Sequence, residues 1–178
     1  MEYPARKTVR LREYDYSRPG YYFVTICTHK KMCLFGRIHN GVLCPTRLGL
    51  IAREELRQIE NRRAYVKVEK WAVMPNHIHM ILRISERPRR DMTCHVRNRF
   101  SCPEEGSLWT IIAAYKAAVT RRWRNEADMT SHVPTEEPSP VWQGRYYEHI
   151  ISTDREYREA WRYIDENPRR WGEDAYRV

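Results

Sequence analysis

A strand pattern with two histidines stands near the middle of the chain, in Trp71-Ala72-Val73-Met74-Pro75-Asn76-His77-Ile78-His79-Met80-Ile81-Leu82. Side chains of a β-strand alternate between two faces, so His77 and His79 share one face. The apolar residues interleaved with them share the other face, where a core is expected. Two imidazoles on one side of a strand form a ready pair of metal ligands. Strand histidines are also commonly satisfied by hydrogen bonds, so the surrounding chain has to distinguish these two uses.

The strands and helices predicted around this stretch follow an α+β order. Segments that are rich in aromatic and β-branched residues, or that flank the hairpin dipeptide Asn40-Gly41, predict strands. These strands cover 21–27, 34–38, 42–44, 66–74, 77–84 and 146–151. Helical spacing of apolar residues predicts helices that begin after Thr46, run from 107 to 125, and extend from a capping box at Thr153 to Asn167. This order predicts a ferredoxin-like, RRM-like antiparallel sheet with helices on one face.

The length and composition are those of one globular domain. The chain has 178 residues, 42% of them apolar, and six tryptophans, which predicts a single domain over 1–178. The arginine-rich segment 85–106 lacks periodicity and is interpreted as a mobile basic insertion, and the acidic, proline-rich segment 126–140 as a loop. The five cysteines include no Cys-x-x-Cys pair, and no signal peptide or apolar run of 18 residues is present. We therefore expect a cytoplasmic protein without a membrane partner.

Positive charge is concentrated in the middle of the sequence. The net charge is +9, and nine basic residues stand against four acidic ones between positions 85 and 125. An uneven basic balance of this kind favours a polyanion partner.

Tyr163 and Asn167 lie one turn apart at the end of the last predicted helix. Residues at i and i+4 share a helix face, so a phenol and an amide oxygen are displayed together. Such a pair suits a nucleophile and a metal ligand that serve one phosphate. An asparagine before proline is also a common helix stop signal, and a half-buried tyrosine is commonly a packing residue. The pair alone therefore does not distinguish a catalytic site from ordinary helix packing.

Three ordered motifs carry a resemblance to a known family. They are Met74-Pro75-Asn76-His77-Ile78-His79, Val141-Trp142-Gln143-Gly144-Arg145-Tyr146-Tyr147-Glu148-His149-Ile150-Ile151 and Tyr163-Ile164-Asp165-Glu166-Asn167-Pro168. Together they resemble the REP-associated tyrosine transposases, a branch of the HUH single-strand transposases. The opening segment, from Val9 through Thr28, is similar too, so the resemblance covers nearly the whole chain.

The resemblance implies the HUH endonuclease fold and a DNA-nicking and strand-joining activity on single-stranded or hairpin DNA. It implies that His77, His79 and Asn167 hold a divalent ion, Mg²⁺ or Mn²⁺. Tyr163 is then the nucleophile that becomes linked to a 5′ phosphate, leaving a free 3′ hydroxyl. We expect a monomer, because the tyrosine helix follows the sheet in the same chain, and no nucleotide cofactor, because no glycine-rich phosphate loop is present.

Two further residues compete for roles at this site. Tyr115 is an alternative nucleophile, but it lies on the apolar stripe of its helix, and its i+4 neighbour is Val119, which cannot bind a metal. His149 is a candidate for an additional metal ligand or phosphate contact, or else a histidine at the edge of the core.

Binding of a DNA strand calls for cations and aromatic platforms. Most aromatic residues near arginines are expected in the core, and arginines are the better candidates for phosphate contacts. The predicted DNA-binding residues are Arg10, Arg12, Arg87, Arg89, Arg90, Arg97, Arg99 and Arg145.

Two other functions are compatible with the same sequence features. One is a non-catalytic single-stranded nucleic-acid-binding module that keeps the basic surface without turnover. The other is a metal-dependent nuclease in which the two histidines serve an activated water. A covalent tyrosine adduct separates the first of these from the transposase, and a free 5′ phosphate marks the second.

Overall fold

The computed structural model describes residues 18–86, 106–130 and 140–177 of the chain. The strands are β1 (Gly20–Cys27), β2 (Gly36–His39), β3 (Val42–Pro45), β4 (Val66–Val73), β5 (His77–Ile84) and β6 (Tyr147–Ile151). The helices are α1 (Arg47–Arg62), α2 (Leu108–Thr130) and α3 (Asp154–Glu166).

Four of the strands form one antiparallel sheet in the order β4-β5-β1-β6. This is the strand order of a ferredoxin-like sheet, so the predicted α+β class is confirmed. β2 and β3 form a separate hairpin around Asn40 and Gly41, whose φ angles are 49° and 74°. Two consecutive positive φ values are what a two-residue hairpin turn of type I′ requires, as the Asn-Gly dipeptide predicts.

Helices cover both faces of the sheet, whereas the sequence predicted them on one face. α1 and α2 pack on the face that carries Tyr22, Val24 and Ile26 of β1, and these residues form the larger core. α3 packs on the opposite face, against Phe23 and Ile81. The stripe on α3 shows that it buries one side, but it does not specify which face of the sheet receives it.

The helix termini follow their capping residues closely. Thr46 caps α1 by accepting a hydrogen bond from the Gly49 N–H at 3.1 Å, and Thr153 caps α3 by accepting one from the Glu156 N–H at 3.2 Å. Both caps agree with the predicted starts. α2 continues to Thr130, beyond its predicted end at 125, so the loop expected at 126–140 begins later.

Most of the predicted basic insertion at 85–106 lies outside the described residues, as does 131–139. None of the helices in the described ranges combines the length and apolarity that a membrane crossing requires.

Candidate metal centre and tyrosine site

Strands β1 and β5 bury the histidine pair in the middle of the sheet. In the antiparallel register His79 lies opposite Thr25 and His77 lies opposite Cys27. Both imidazoles have 0% exposure, and their ring centroids are 4.4 Å apart. The two-residue spacing thus brings both rings to one point on the α3 face of the sheet.

Hydrogen bonds orient the two rings toward each other. His77 Nδ1 lies 2.7 Å from Asn76 Oδ1, and because an amide oxygen can only accept, this nitrogen carries the proton. His79 Nδ1 lies 2.7 Å from the Thr25 hydroxyl, which can donate or accept. The two Nε2 atoms face each other at 2.9 Å. Without an ion, His79 Nε2–H donates a hydrogen bond to His77 Nε2. With an ion bound, both Nε2 atoms would instead be unprotonated and direct their lone pairs at it.

Burial keeps both histidines neutral. It lowers the pKa of His77 well below its ordinary value, with a smaller contribution from the neighbouring His79. It lowers the pKa of His79 to about 3. Neutral imidazole is the form that binds metals, so neither ring needs to lose a proton before ligation.

A carboxylate from the C-terminal segment joins the pair. Asp174 follows the short 3₁₀ turn Trp171–Glu173, and its Oδ2 lies 3.7 Å from His77 Nε2. Ligand atoms of His77, His79 and Asp174 all lie within 4.8 Å of one another. Burial raises the pKa of Asp174, and hydrogen bonds from the Tyr176 N–H and the Asn167 side chain oppose this rise. Sequence reasoning missed Asp174, because the chain beyond Pro168 shows no periodicity that would place it.

Two buried oxygens fit a metal site, one on Asp174 and one on Asn167, whose side chain forms a hydrogen bond with Asp174. Asn167 Oδ1 and Asp174 Oδ2 have no hydrogen-bond partner within the described part of the chain. Burying such an atom costs about 1–3 kcal/mol unless a partner is supplied. Adjacent ligands of a six-coordinate ion, each about 2.1 Å from it, are about 3 Å apart, close to the 2.9 Å between the Nε2 atoms. Two imidazoles, a carboxylate and an amide oxygen suit several divalent ions, Mg²⁺ and Mn²⁺ among them.

Tyr163 lies against this group. Its ring meets the His79 ring edge-on, with the centroids 5.1 Å apart, and also contacts Phe23 at 5.9 Å. The side chain is half-buried. One turn later, the Asn167 N–H donates to the Tyr163 carbonyl at 3.1 Å. The structure therefore brings together Tyr163, Asn167 and the histidine pair, which the sequence had linked only by motif.

The C-terminal segment also covers the histidines with aromatic rings. The Tyr176 ring lies 4.8 Å from that of His77 and 5.7 Å from that of His79, and Trp171 lies 6.0 Å from His77. The Asn76 side chain ties this segment down by donating to the Tyr176 carbonyl at 2.8 Å. The full burial of the pair thus depends partly on residues 171–176.

The competing residues lie elsewhere. The Tyr115 hydroxyl donates to the Ala52 carbonyl at 3.0 Å inside the larger core, and burial raises its pKa well above the ordinary value. His149 is on the same sheet face as the pair, but its Nε2 lies 3.8 Å from a Glu156 carboxylate oxygen. It is not part of the three-residue group found among the described residues, and its role in metal or phosphate binding stays a prediction.

Of the predicted DNA-binding arginines, only Arg145 falls within the described residues, where it is exposed. Its carbonyl accepts a hydrogen bond from Lys116 at 3.2 Å, which fixes the backbone that carries it. The other predicted contacts lie outside the described residues: Arg10, Arg12, Arg87, Arg89, Arg90, Arg97 and Arg99.

Comparisons with known proteins agree with this geometry at the level of the fold. No family model matches the chain. A Haemophilus influenzae protein described as uncharacterized is 32% identical over 177 residues, covering 97% of this chain and 93% of that protein.

Among solved structures, a REP-associated tyrosine transposase bound to a REP hairpin matches with a TM-score of 0.59 and 19% identity. The match covers 89% of this chain and 72% of the transposase. A Deinococcus radiodurans protein provisionally assigned as a transposase matches with a TM-score of 0.47 and 15% identity, over 87% of this chain and 94% of that protein.

Proposed function

We propose that this chain, which belongs to the family of the Haemophilus influenzae protein and has the fold of the REP-associated tyrosine transposase, is a metal-dependent single-strand DNA transposase. It nicks and rejoins DNA at hairpin sequences through a tyrosine linked to the 5′ phosphate. The observation that carries the proposal is the contact of Tyr163 with His79, beside a buried group of potential metal ligands.

In this proposal His77, His79 and Asp174 hold a divalent ion together with Asn167, whose side chain forms a hydrogen bond with Asp174 and whose buried Oδ1 has no partner among the described residues. A bound Mg²⁺ or Mn²⁺ supplies Lewis-acid stabilisation of the charge on the scissile phosphate. Thr25 and Asn76 hold the two imidazoles by their Nδ1 atoms, so that both Nε2 atoms point to the same place. Partners of this kind fix the orientation of ligating histidines.

The covalent step requires only the tyrosine, the DNA and solvent. The phenolic oxygen of Tyr163 attacks the scissile phosphorus, a P–O bond to the tyrosine forms, and the bond to the 3′ oxygen breaks. Solvent takes up the phenolic proton, and the leaving 3′ oxygen acquires one, which gives a free 3′ hydroxyl. The phosphotyrosine retains a phosphodiester, so attack by a 3′ hydroxyl rejoins a strand without a nucleotide cofactor.

The proposed partner is a single-stranded or hairpin DNA. Support comes from the net charge of +9 and from the transposase of similar fold, which is bound to a REP hairpin. The arginines at positions 10, 12, 87, 89, 90, 97, 99 and 145 are proposed phosphate contacts. We propose that the protein acts as a cytoplasmic monomer, because one chain supplies the candidate ligands and the tyrosine.

A covalent-adduct assay tests this function. The protein is incubated with a 3′-labelled hairpin oligonucleotide library and Mn²⁺ or Mg²⁺, and the products are separated on a denaturing gel. We expect a metal-dependent labelled protein band that Tyr163→Phe abolishes. Tyr157→Phe is the matched control, because Tyr157 is a partly buried tyrosine on the same helix.

The other outcomes would replace the proposal. Cleavage that gives a free 5′ phosphate, with no protein band, indicates a metal-dependent nuclease that uses water. Binding without cleavage across the library indicates a non-catalytic module.

A further inference from the structure

A cleft of about 270 Å³ opens beside β4, one of the two edge strands of the sheet. Residues 70–73 of β4 form its floor, and the last turn of α3 and the β2–β3 hairpin form its walls. Within the described residues β4 pairs with β5 alone. An edge strand leaves alternate backbone N–H and C=O groups unpaired, and here they border the cleft. We call this region the β4 cleft.

Cations and tryptophans are paired along this edge: Arg53, Lys70 and Trp71 line the cleft, and Arg57 and Trp161 contact these lining residues from outside it. The guanidinium groups of Arg53 and Arg57 lie 5.8 and 5.9 Å from the centre of the Trp71 ring. On the α3 side, the Lys70 ammonium lies 5.0 Å from the centre of the Trp161 ring, which is 38% exposed. Large exposed aromatic rings next to cations are the elements from which single-strand binding surfaces are built.

Within the described residues, the positive charge at the β4 cleft is only partly neutralised. Neither Arg53 nor Arg57 of α1 forms an ion pair with a described residue, whereas Arg62 of α1 and Arg122 of α2 are bound to glutamates. Asp165 is the one acidic residue among the described residues that line the cleft, and it pairs with Lys70. Two guanidinium groups held over one indole are thus left to face an external anion.

The β4 cleft adjoins the tyrosine site. Ala72 on its floor lies opposite His79 in the strand register, and neighbouring strands are about 4.8 Å apart. Its wall includes Ile164 and Pro168, each next in sequence to a residue of the site, Tyr163 or Asn167. A DNA strand linked to Tyr163 would therefore have only a short distance to cover, around the last turn of α3, to reach the cleft.

We propose that the β4 cleft binds the single-stranded DNA that continues from the nick, with phosphates on Arg53 and Arg57 and bases against the β4 edge and Trp161. The inference rests on the proposed function, since it extends the DNA path from Tyr163. Charge complementarity selects the occupant, because two guanidinium groups without ion-pair partners among the described residues attract phosphates, and the exposed indole of Trp161 offers a stacking surface to any base.

Fluorescence anisotropy with dye-labelled hairpins that carry single-stranded overhangs of increasing length tests the inference. We expect Arg53→Gln/Arg57→Gln to weaken binding on the order of tenfold for long overhangs and to leave the blunt hairpin unchanged. Loss of two phosphate contacts should reduce the slope of log K against log salt by about 1.4. Trp161→Ala should weaken the same overhangs without changing that slope. The control is Arg121→Gln/Arg124→Gln, two exposed arginines of α2.

If both double variants lose the same amount of affinity for long overhangs, only general charge attraction is at work and the subsite is refuted. An unchanged affinity in the Arg53→Gln/Arg57→Gln variant would also refute it. If the proposed function is wrong but the cleft does bind DNA, the Arg53→Gln/Arg57→Gln variant still weakens binding of long overhangs, and no adduct forms on Tyr163. An adduct without an overhang effect would keep the function and refute the cleft.

Discussion

Replacing Asp174 by asparagine should change stability in opposite directions with and without a metal. The Asp174 side chain has 0% exposure, and its Oδ2 has no hydrogen-bond partner among the described residues. A neutral amide of the same shape costs less to bury than a carboxylate. In the presence of a chelator, we therefore expect Asp174→Asn to unfold at a temperature equal to or above that of the parent.

Metal reverses this order if Asp174 is a ligand. An ion that binds only the folded protein stabilises it by about 2.7 kcal/mol at a hundredfold excess over Kd. For a chain of 178 residues, at about 2–4 °C per kcal/mol, the Tm of the parent should rise by about 5–11 °C. Loss of the charged ligand should weaken affinity at least tenfold. The remaining stabilisation at the same ion concentration is then about 1.4 kcal/mol or less, half of the parent's gain.

Thermal unfolding followed by tryptophan fluorescence, with Mn²⁺ titrated after chelator removal, measures both effects. Glu173→Gln is the control, because this neighbour is exposed and pairs with Arg170 rather than with the histidines. It should keep the full Mn²⁺ response. An equal Tm rise in the parent and in Asp174→Asn, or no rise in the parent, would refute the assignment of Asp174 as a ligand.

Three further substitutions separate structure from chemistry. Tyr115→Phe removes a buried hydrogen bond of 3.0 Å and should cost about 1 kcal/mol in urea unfolding, while adduct formation stays at the parental level; loss of the adduct would move the nucleophile to this residue. Gly49→Ala places a Cβ 2.0 Å from the Phe35 carbonyl oxygen and should cost about 1–3 kcal/mol by the same measurement; a neutral effect would contradict the close approach of α1. Thr25→Val removes the partner of His79 Nδ1 and should weaken Mn²⁺ binding about 10–100-fold in calorimetry; unchanged affinity would exclude an orienting role.

The sheet, and the side-chain faces on which four candidate site residues lie, could be predicted from the sequence. The His-x-His pair specifies both a strand and a shared face, because the two-residue period of a strand leaves no other arrangement. The i, i+4 spacing of Tyr163 and Asn167 specifies a shared helix face in the same way. These are local rules, and the structure places the residues accordingly, with Tyr163 against His79.

The parts that were missed depend on long-range packing. α3 lies on the histidine face of the sheet because its apolar stripe packs against Phe23 and Ile81 there. The spacing of apolar residues within α3 does not indicate which face of the sheet it will pack on. Asp174 reaches His77 because the chain turns back after α3 and Tyr176 packs on the imidazoles. In the sequence Gly172-Glu173-Asp174, nothing in the spacing of the residues distinguishes the buried carboxylate of Asp174 from the exposed one of Glu173.

Identifying the residue that becomes linked to DNA tests the role of Tyr163 as the nucleophile. The adduct formed with a hairpin oligonucleotide and Mn²⁺ is digested with nuclease and trypsin and analysed by mass spectrometry. Trypsin releases 163–169 as a peptide with a single tyrosine, so the attachment site is unambiguous. We expect a phosphonucleotide on Tyr163. A phosphonucleotide on the peptide 100–116, which contains Tyr115, would contradict this expectation.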